Sequence, residues 1–260
     1  PYIIGQVIKR SGVNPNRKKK MELKVYKDKA TVAAKFSEFL VTEINEHEGR
    51  FNIALSGGST PKIVFDYLAT HFPDQDWSSV HLYWGDERCV PPTDDQSNYK
   101  MTVEHLLSKI NIPSENVHRI LGETDPQEAA RHYATELKNH LPMVDNSPQF
   151  DMVMLGMGGD GHTASIFPHE IHLWSSKDIC VVATHPESGQ KRVSLTGEVI
   201  NQAKSVVFLV TGADKNTMVA QVHKRDEHSA QFPAALVQPK SKNLIWFLDQ
   251  DAKATESKTD

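Results

Sequence analysis

The sequence predicts an α/β fold, a mostly parallel sheet with helices on both faces. Two observations predict it. Short apolar runs rich in β-branched and aromatic residues alternate along the chain with segments whose apolar residues recur at helical spacing. Several of those runs end in glycines or charged residues that lead straight into the next helical pattern. Alternation of this kind joins neighbouring strands by helical crossovers and so makes them parallel. In such sheets ligands bind beyond the carboxyl ends of the strands, where loops enter helices.

From Glu22 onward the elements follow in order. "ELKVY" is strand-like. Residues 30–48 carry Val32, Ala33, Phe36, Phe39, Leu40 and Ile44 at helical spacing. "FNIALSG" is a compact apolar strand, and an amphipathic helix follows over 61–71. "VHLYWGDE" and "FDMVMLGMGG" are further strands, and "DICVVAT", "RVSLT", "SVVFLVTG" and "NLIWFLD" complete the set. Helical patterns fill 98–108, 126–140, 197–203 and 214–224. Residues 1–20 are basic and aperiodic, and "MELKVYKD" opens like a natural start at Met21. The expectation is therefore an N-terminal extension over 1–20, non-native or upstream, one α/β domain over 21–250, and a polar tail over 251–260.

The chain has 260 residues, enough for a sizeable core; 38% of them are hydrophobic and 24% charged, as in a water-exposed globular protein. A formal charge of −4 disfavours an extended nucleic-acid footprint. No apolar run approaches the roughly 18–20 residues of a membrane span. Two distant cysteines, Cys89 and Cys180, form neither a disulfide framework nor a metal clip. A reducing compartment follows, so a cytoplasmic location is expected.

Three strand ends carry the chemistry. In "LSGGSTPK", Gly57 and Gly58 permit close backbone approach, Ser56, Ser59 and Thr60 offer hydroxyls, and Pro61 suits a helix's first turn. A helix N-terminus there attracts anions; equally, the hydroxyls could simply cap the helix. It is neither a Walker loop nor a GxGxxG loop. In "YWGDERCVPPTDDQSNYKM", Asp86 and Arg88 alternate and face one side of an extended chain. Arg88 suits a phosphate or carboxylate, although a surface ion pair gives the same pattern.

The third, "LGMGGDGHTASIFP", has four glycines in its first seven residues. The turn "MGGDG" then leads into "HTASIF", read as the start of a helix. His162 would stand near that N-terminus, where the dipole keeps an imidazole neutral, as a general base requires. Asp160 would fix its tautomer, or cap the helix through the N–H groups of 162 and 163. Capping or core packing suffices for His162 taken alone; two anion-friendly loops beside it turn the reading toward catalysis. Arg192 in "KRVSLT" and Lys215 in "VTGADK" could complete an anion site, or be ordinary surface cations. No HExxH or GxSxG occurs, so zinc hydrolysis and a serine nucleophile lack support.

The set "SGGSTP", "GDERCVP", "SNYKM", "LGMGGDGHTASIFP", "KRVSLT" and "TGADK", in this order, resembles the motif set of the 6-phosphogluconolactonase family. The resemblance implies the Rossmann-like architecture shared with glucosamine-6-phosphate deaminase, ribose-5-phosphate isomerase and CoA transferases. It implies hydrolysis of 6-phospho-D-glucono-1,5-lactone to 6-phosphogluconate in the oxidative pentose phosphate pathway. His162 would activate water with Asp160 beside it. Ser56, Gly57, Gly58, Ser59, Thr60, Asp86, Arg88, Arg192 and Lys215 would surround the substrate. No metal and no organic cofactor is implied. The expected partner is a small sugar-phosphate lactone, with no nucleic acid and no membrane, and the chain would be a monomer or weak homo-oligomer.

Two rivals remain in view. Glucosamine-6-phosphate deaminase shares several of these motifs but places a glutamate directly before the proline closing the DGH stretch. Phe167 holds that position here, and a phenyl ring transfers no proton. A non-catalytic sugar-phosphate sensor would need a DNA-reading module, for which residues 1–20 are too short.

Overall fold

A computed structural model describes residues 21–253; the expected extension over 1–20 and residues 254–260 lie outside them. The elements run β1 (Glu22–Tyr26), α1 (Lys29–Glu46), β2 (Phe51–Leu55), α2 (Ser59–His71), β3 (Val80–Trp84), β4 (Asp86–Arg88), α3 (Asn98–Thr102) and α4 (Pro126–His140). They continue with the hairpin β5 (Met143–Val144) and β6 (Ser147–Pro148), then β7 (Met152–Leu155), β8 (Cys180–Thr184), β9 (Lys191–Leu195), α5 (Gly197–Gln202), β10 (Val206–Val210), α6 (Asn216–Lys224) and β11 (Leu244–Asp249).

The central sheet has the order β1-β11-β10-β7-β2-β3, and every pairing in it is parallel. "FNIAL", "MVML", "VVFLV" and "LIWFLD" are buried along their whole length, as strands covered on both faces must be. From β2 the chain first moves outward to β3 and later returns to β7 on the other side. That reversal opens a crevice between the ends of β2 and β7.

Not all strands join this sheet. β4, β9 and β8 form a separate antiparallel sheet, where alternation alone suggested further parallel strands. Gly85 makes the switch: its N–H donates to Leu55 O of the first sheet and its C=O accepts from Leu195 of the second. Tyr133 of α4 secures the corner, its hydroxyl accepting from Trp84 N and donating to Trp84 O.

Asp125 caps α4 by accepting from Gln127 and Glu128 N–H groups, with Pro126 opening the helix, which explains why its expected bounds match. The helix expected over 98–108 is α3 followed by a wider π turn at Val103–Leu107. The domain extends past residue 250: Ala252 is fully buried and its N–H donates to Asp249 Oδ1. No described helix is long and apolar enough to cross a membrane.

Candidate active site

The loops after β2, β7 and β10 and the strand pair β4–β9 enclose a cleft of about 290 Å³. Ser56, Gly57, Gly58, Ser59, Thr60, Asp86, Arg88, His162, Arg192 and Lys215, all singled out in the sequence, line it. Asp160 stands behind His162 and bonds to it. Residues up to 159 positions apart thus meet at the crevice that strand order dictates.

One wall is the start of α2. Its N-cap is Gly58, and no side chain caps it, which decides against the capping alternative. The hydroxyls bond elsewhere: Thr60 Oγ1 to Thr211 Oγ1 at 2.8 Å, Ser56 Oγ to Gly57 O, and Ser59 Oγ from Lys29 Nζ. Gly58, Ser59, Thr60 and Pro61 of this helix start line the cleft, and a helix's first turn, with its free N–H groups and the positive end of its dipole, favours anions. Lys215 stands at the N-cap of α6 and pairs with Asp214 at 3.3 Å.

Two arginines form the adjoining wall. Arg88 and Arg192 are direct partners across β4 and β9, and like charges in that position repel. Burial and then Arg88 hold the Arg192 guanidinium below its ordinary pKa. Arg88 Nη1 donates to Gln96 O at 2.6 Å, and Arg192 lies 5.6 Å from the centre of the Phe167 ring. An anion between the two guanidinium groups would relieve their repulsion.

His162 supplies the basic group. Its Nδ1 lies 2.6 Å from Asp160 Oδ1, and its backbone N–H donates to the same oxygen. Burial works against the Asp160 charge, but the His162 hydrogen bond and charge outweigh it and bring the carboxyl down to about 2. Asp160 therefore orients the ring, and Nε2 has no hydrogen-bond partner among the described residues. Gly158 is needed for this geometry, since a Cβ there would collide with the imidazole. Fully buried Phe167 packs 4.6 Å from the His162 ring centre.

The expected helix at "HTASIF" is absent. Thr163 and Ile166 form an isolated bridge, and Ala164 has φ of 47°. Side chains draw this segment into a turn: Thr163 Oγ1 donates to Gly156 O, Ser165 Oγ to Asp86 Oδ2, and Ser165 N to Ser194 Oγ. Such bonds compete with helix formation. His162 is thus positioned by Asp160 and the glycine turn, not by a helix dipole, and Asp160 caps no helix there.

Sequence reasoning passed over Glu87 and Asn98. Glu87 is buried and accepts from Ser97 Oγ and from the N–H groups of Arg88, Asn98 and Tyr99. Desolvation raises its pKa although those donors oppose it. It fixes the loop that brings Asn98 to the cleft, where Asn98 Nδ2 donates to Asp86 O. Gly57 has no room for a side chain beside Asn98. The consecutive charges "DER" were the available signal. Cys89 is half-buried, and burial raises its thiol to about 11, which leaves little reactive thiolate.

The family model described as glucosamine-6-phosphate isomerases/6-phosphogluconolactonase matches residues 27–246. A Treponema pallidum protein named 6-phosphogluconolactonase is 44% identical over 211 residues, 81% of this chain and 87% of that one. A Haemophilus influenzae protein of the same name is 41% identical over 77% of this chain and 85% of its own. Among solved structures, 6-phosphogluconolactonase from Trypanosoma brucei superposes with a TM-score of 0.81 at 29% identity, covering 90% of this chain and 97% of that one.

Proposed function

The chain belongs to the family of glucosamine-6-phosphate isomerases and 6-phosphogluconolactonases, and from that premise we propose that it hydrolyses 6-phospho-D-glucono-1,5-lactone to 6-phosphogluconate. The observation that carries this reading is the Asp160–His162 pair standing in one cleft with an uncapped helix start and three cationic side chains.

In the proposed reaction, His162 Nε2 takes a proton from water as the oxygen attacks the lactone carbonyl carbon. Asp160 holds Nδ1–H and stabilises the imidazolium that forms. As the tetrahedral intermediate collapses, the bond from that carbon to the ring oxygen breaks. The imidazolium returns its proton to the departing oxygen, which becomes a hydroxyl. The α2 amides, Arg88, Arg192 and Lys215 provide for the substrate's phosphate and the developing oxyanion. A positioned base contributes roughly 10²–10⁴-fold and one oxyanion donor about 10²–10³-fold. An activated ester such as a δ-lactone needs little more.

Phe167 supports hydrolysis over deamination, because it puts a fully buried phenyl ring against His162 where the deaminases carry a proton-transferring glutamate. Fresh 6-phosphogluconolactone and glucosamine 6-phosphate, assayed side by side, test the choice. Turnover of the lactone alone is expected; turnover of the amino sugar alone overturns the reading.

A further inference from the structure

A second assembly of ionisable side chains lies away from the cleft. His118 lies beside β3 at the sheet's edge, where its N–H donates to Leu82 O. Glu136 and His140 are one turn apart near the end of α4. The three side chains offer ligand atoms that all lie within 4.8 Å of one another, and none of them lines the cleft. His118 Nδ1 is 2.7 Å and His140 Nδ1 is 3.2 Å from Glu136 Oε1.

The surroundings prepare His118 as a ligand. Tyr83 stacks on its ring at 4.3 Å with an interplanar angle of 6°. Its Nε2 is 3.0 Å from His81 Nδ1. When Nε2–H donates to His81, the Nδ1 lone pair points at the Glu136 carboxylate. A cation, either a proton or a metal ion in its place, joins two electron-rich atoms so placed. An outer partner on the second ring nitrogen also fixes orientation and tautomer in metal-bound imidazoles. The His118 side chain is 4% exposed, against 27% for Glu136 and 38% for His140, so a rigid anchor meets two ligands open to solvent.

We propose that His118, Glu136 and His140 form a binding site for a divalent first-row transition ion, with Zn²⁺ as the fitting case. Two imidazoles and a carboxylate match its ligand preference, with bonds of about 2.0–2.2 Å, and do not suit Mg²⁺ or Ca²⁺, which take oxygen ligands. Solvent completes the coordination. His140 Nδ1 is 2.9 Å from Glu136 O, so ligation through that nitrogen exchanges a local hydrogen bond for a metal bond. The ion staples the end of α4 to the segment beside β3, a structural role independent of the cleft.

The test titrates the metal-stripped full chain with Zn²⁺ and, for its visible absorption, with Co²⁺. One equivalent is expected to bind, and Tm rises by about 5–10 °C at free Zn²⁺ one hundred times its Kd. His140→Ala, at an exposed helix end, and the isosteric Glu136→Gln lose both the Tm shift and the Co²⁺ spectrum while keeping the far-UV circular dichroism of the parent. His162→Ala keeps them. The proposal is overturned if the parent binds no more metal than His140→Ala, or if only His162→Ala abolishes binding.

Discussion

Two histidine–carboxylate pairs in this molecule share a contact and differ in everything around it. His162 meets Asp160 at 2.6 Å and His118 meets Glu136 at 2.7 Å, each through Nδ1. Around His162 are a glycine turn, Arg192 and an open cleft. Around His118 are a stacked tyrosine, two further histidines and the flank of a helix. The second ring nitrogen makes the difference. At His118 it is engaged by His81, whereas His162 Nε2 has no hydrogen-bond partner among the described residues. A short imidazole–carboxylate contact is therefore no signature of catalysis; the fate of the other nitrogen decides the role.

Exchanging the two histidines for alanine breaks or sharpens the comparison most strongly. His162→Ala is expected to lower lactone turnover by about 10²–10⁴-fold with little change in Tm. His118→Ala is expected to reverse the pattern, with unchanged turnover and a stability loss of about 1–3 kcal/mol from the broken buried hydrogen bonds and stacking. Turnover and denaturation measured on both proteins decide it. Full activity in His162→Ala would end the mechanism proposed above.

A smaller effect is expected from Gly158→Ala, which leaves both Asp160 and His162 in place. The added methyl pushes the His162 ring off Asp160, and misplacement by about 1 Å can lower turnover on the order of 10²-fold. The edge cluster and Tm should not respond. Unchanged turnover would mean that the ring's position is not what the glycine turn secures.

Much of the fold and of the cleft could be read from the sequence, within limits set by physics. Apolar runs announced the strands because a buried parallel strand needs apolar side chains on both faces. The cleft loops were legible because glycines, arginines and a helix-opening proline sit at strand ends. The direction of β8 and β9 was not, since an apolar run carries no record of its partner's orientation. "HTASIF" was misread because its turn depends on Gly156, Asp86 and Ser194, the last two distant in sequence. The edge cluster was invisible for the same reason: His118 lies in the segment before α4, 18 positions from Glu136, and the two meet only when α4 packs.

The mildest distinction lies in pH. Burial, and then Arg50, lower His81 to about 4 in the folded chain from an ordinary 6.5, and burial lowers His223 similarly. Between these values the unfolded chain binds more protons. Their contribution is complete above pH 6.5 and is lost as pH falls through 4. Asp160 is lowered from 3.8 to about 2, so its contribution is complete above 3.8 and is lost as pH falls through 2. Being partly exposed, it contributes less. The two regions should therefore weaken in separate windows. Profiles of Tm against pH check this: His81→Gln flattens the slope between 6.5 and 4 in part, because His223 remains, and Asp160→Asn flattens only the slope below 4. If His81→Gln left the upper slope as it was, this half-buried imidazole would not be what couples the sheet edge to pH.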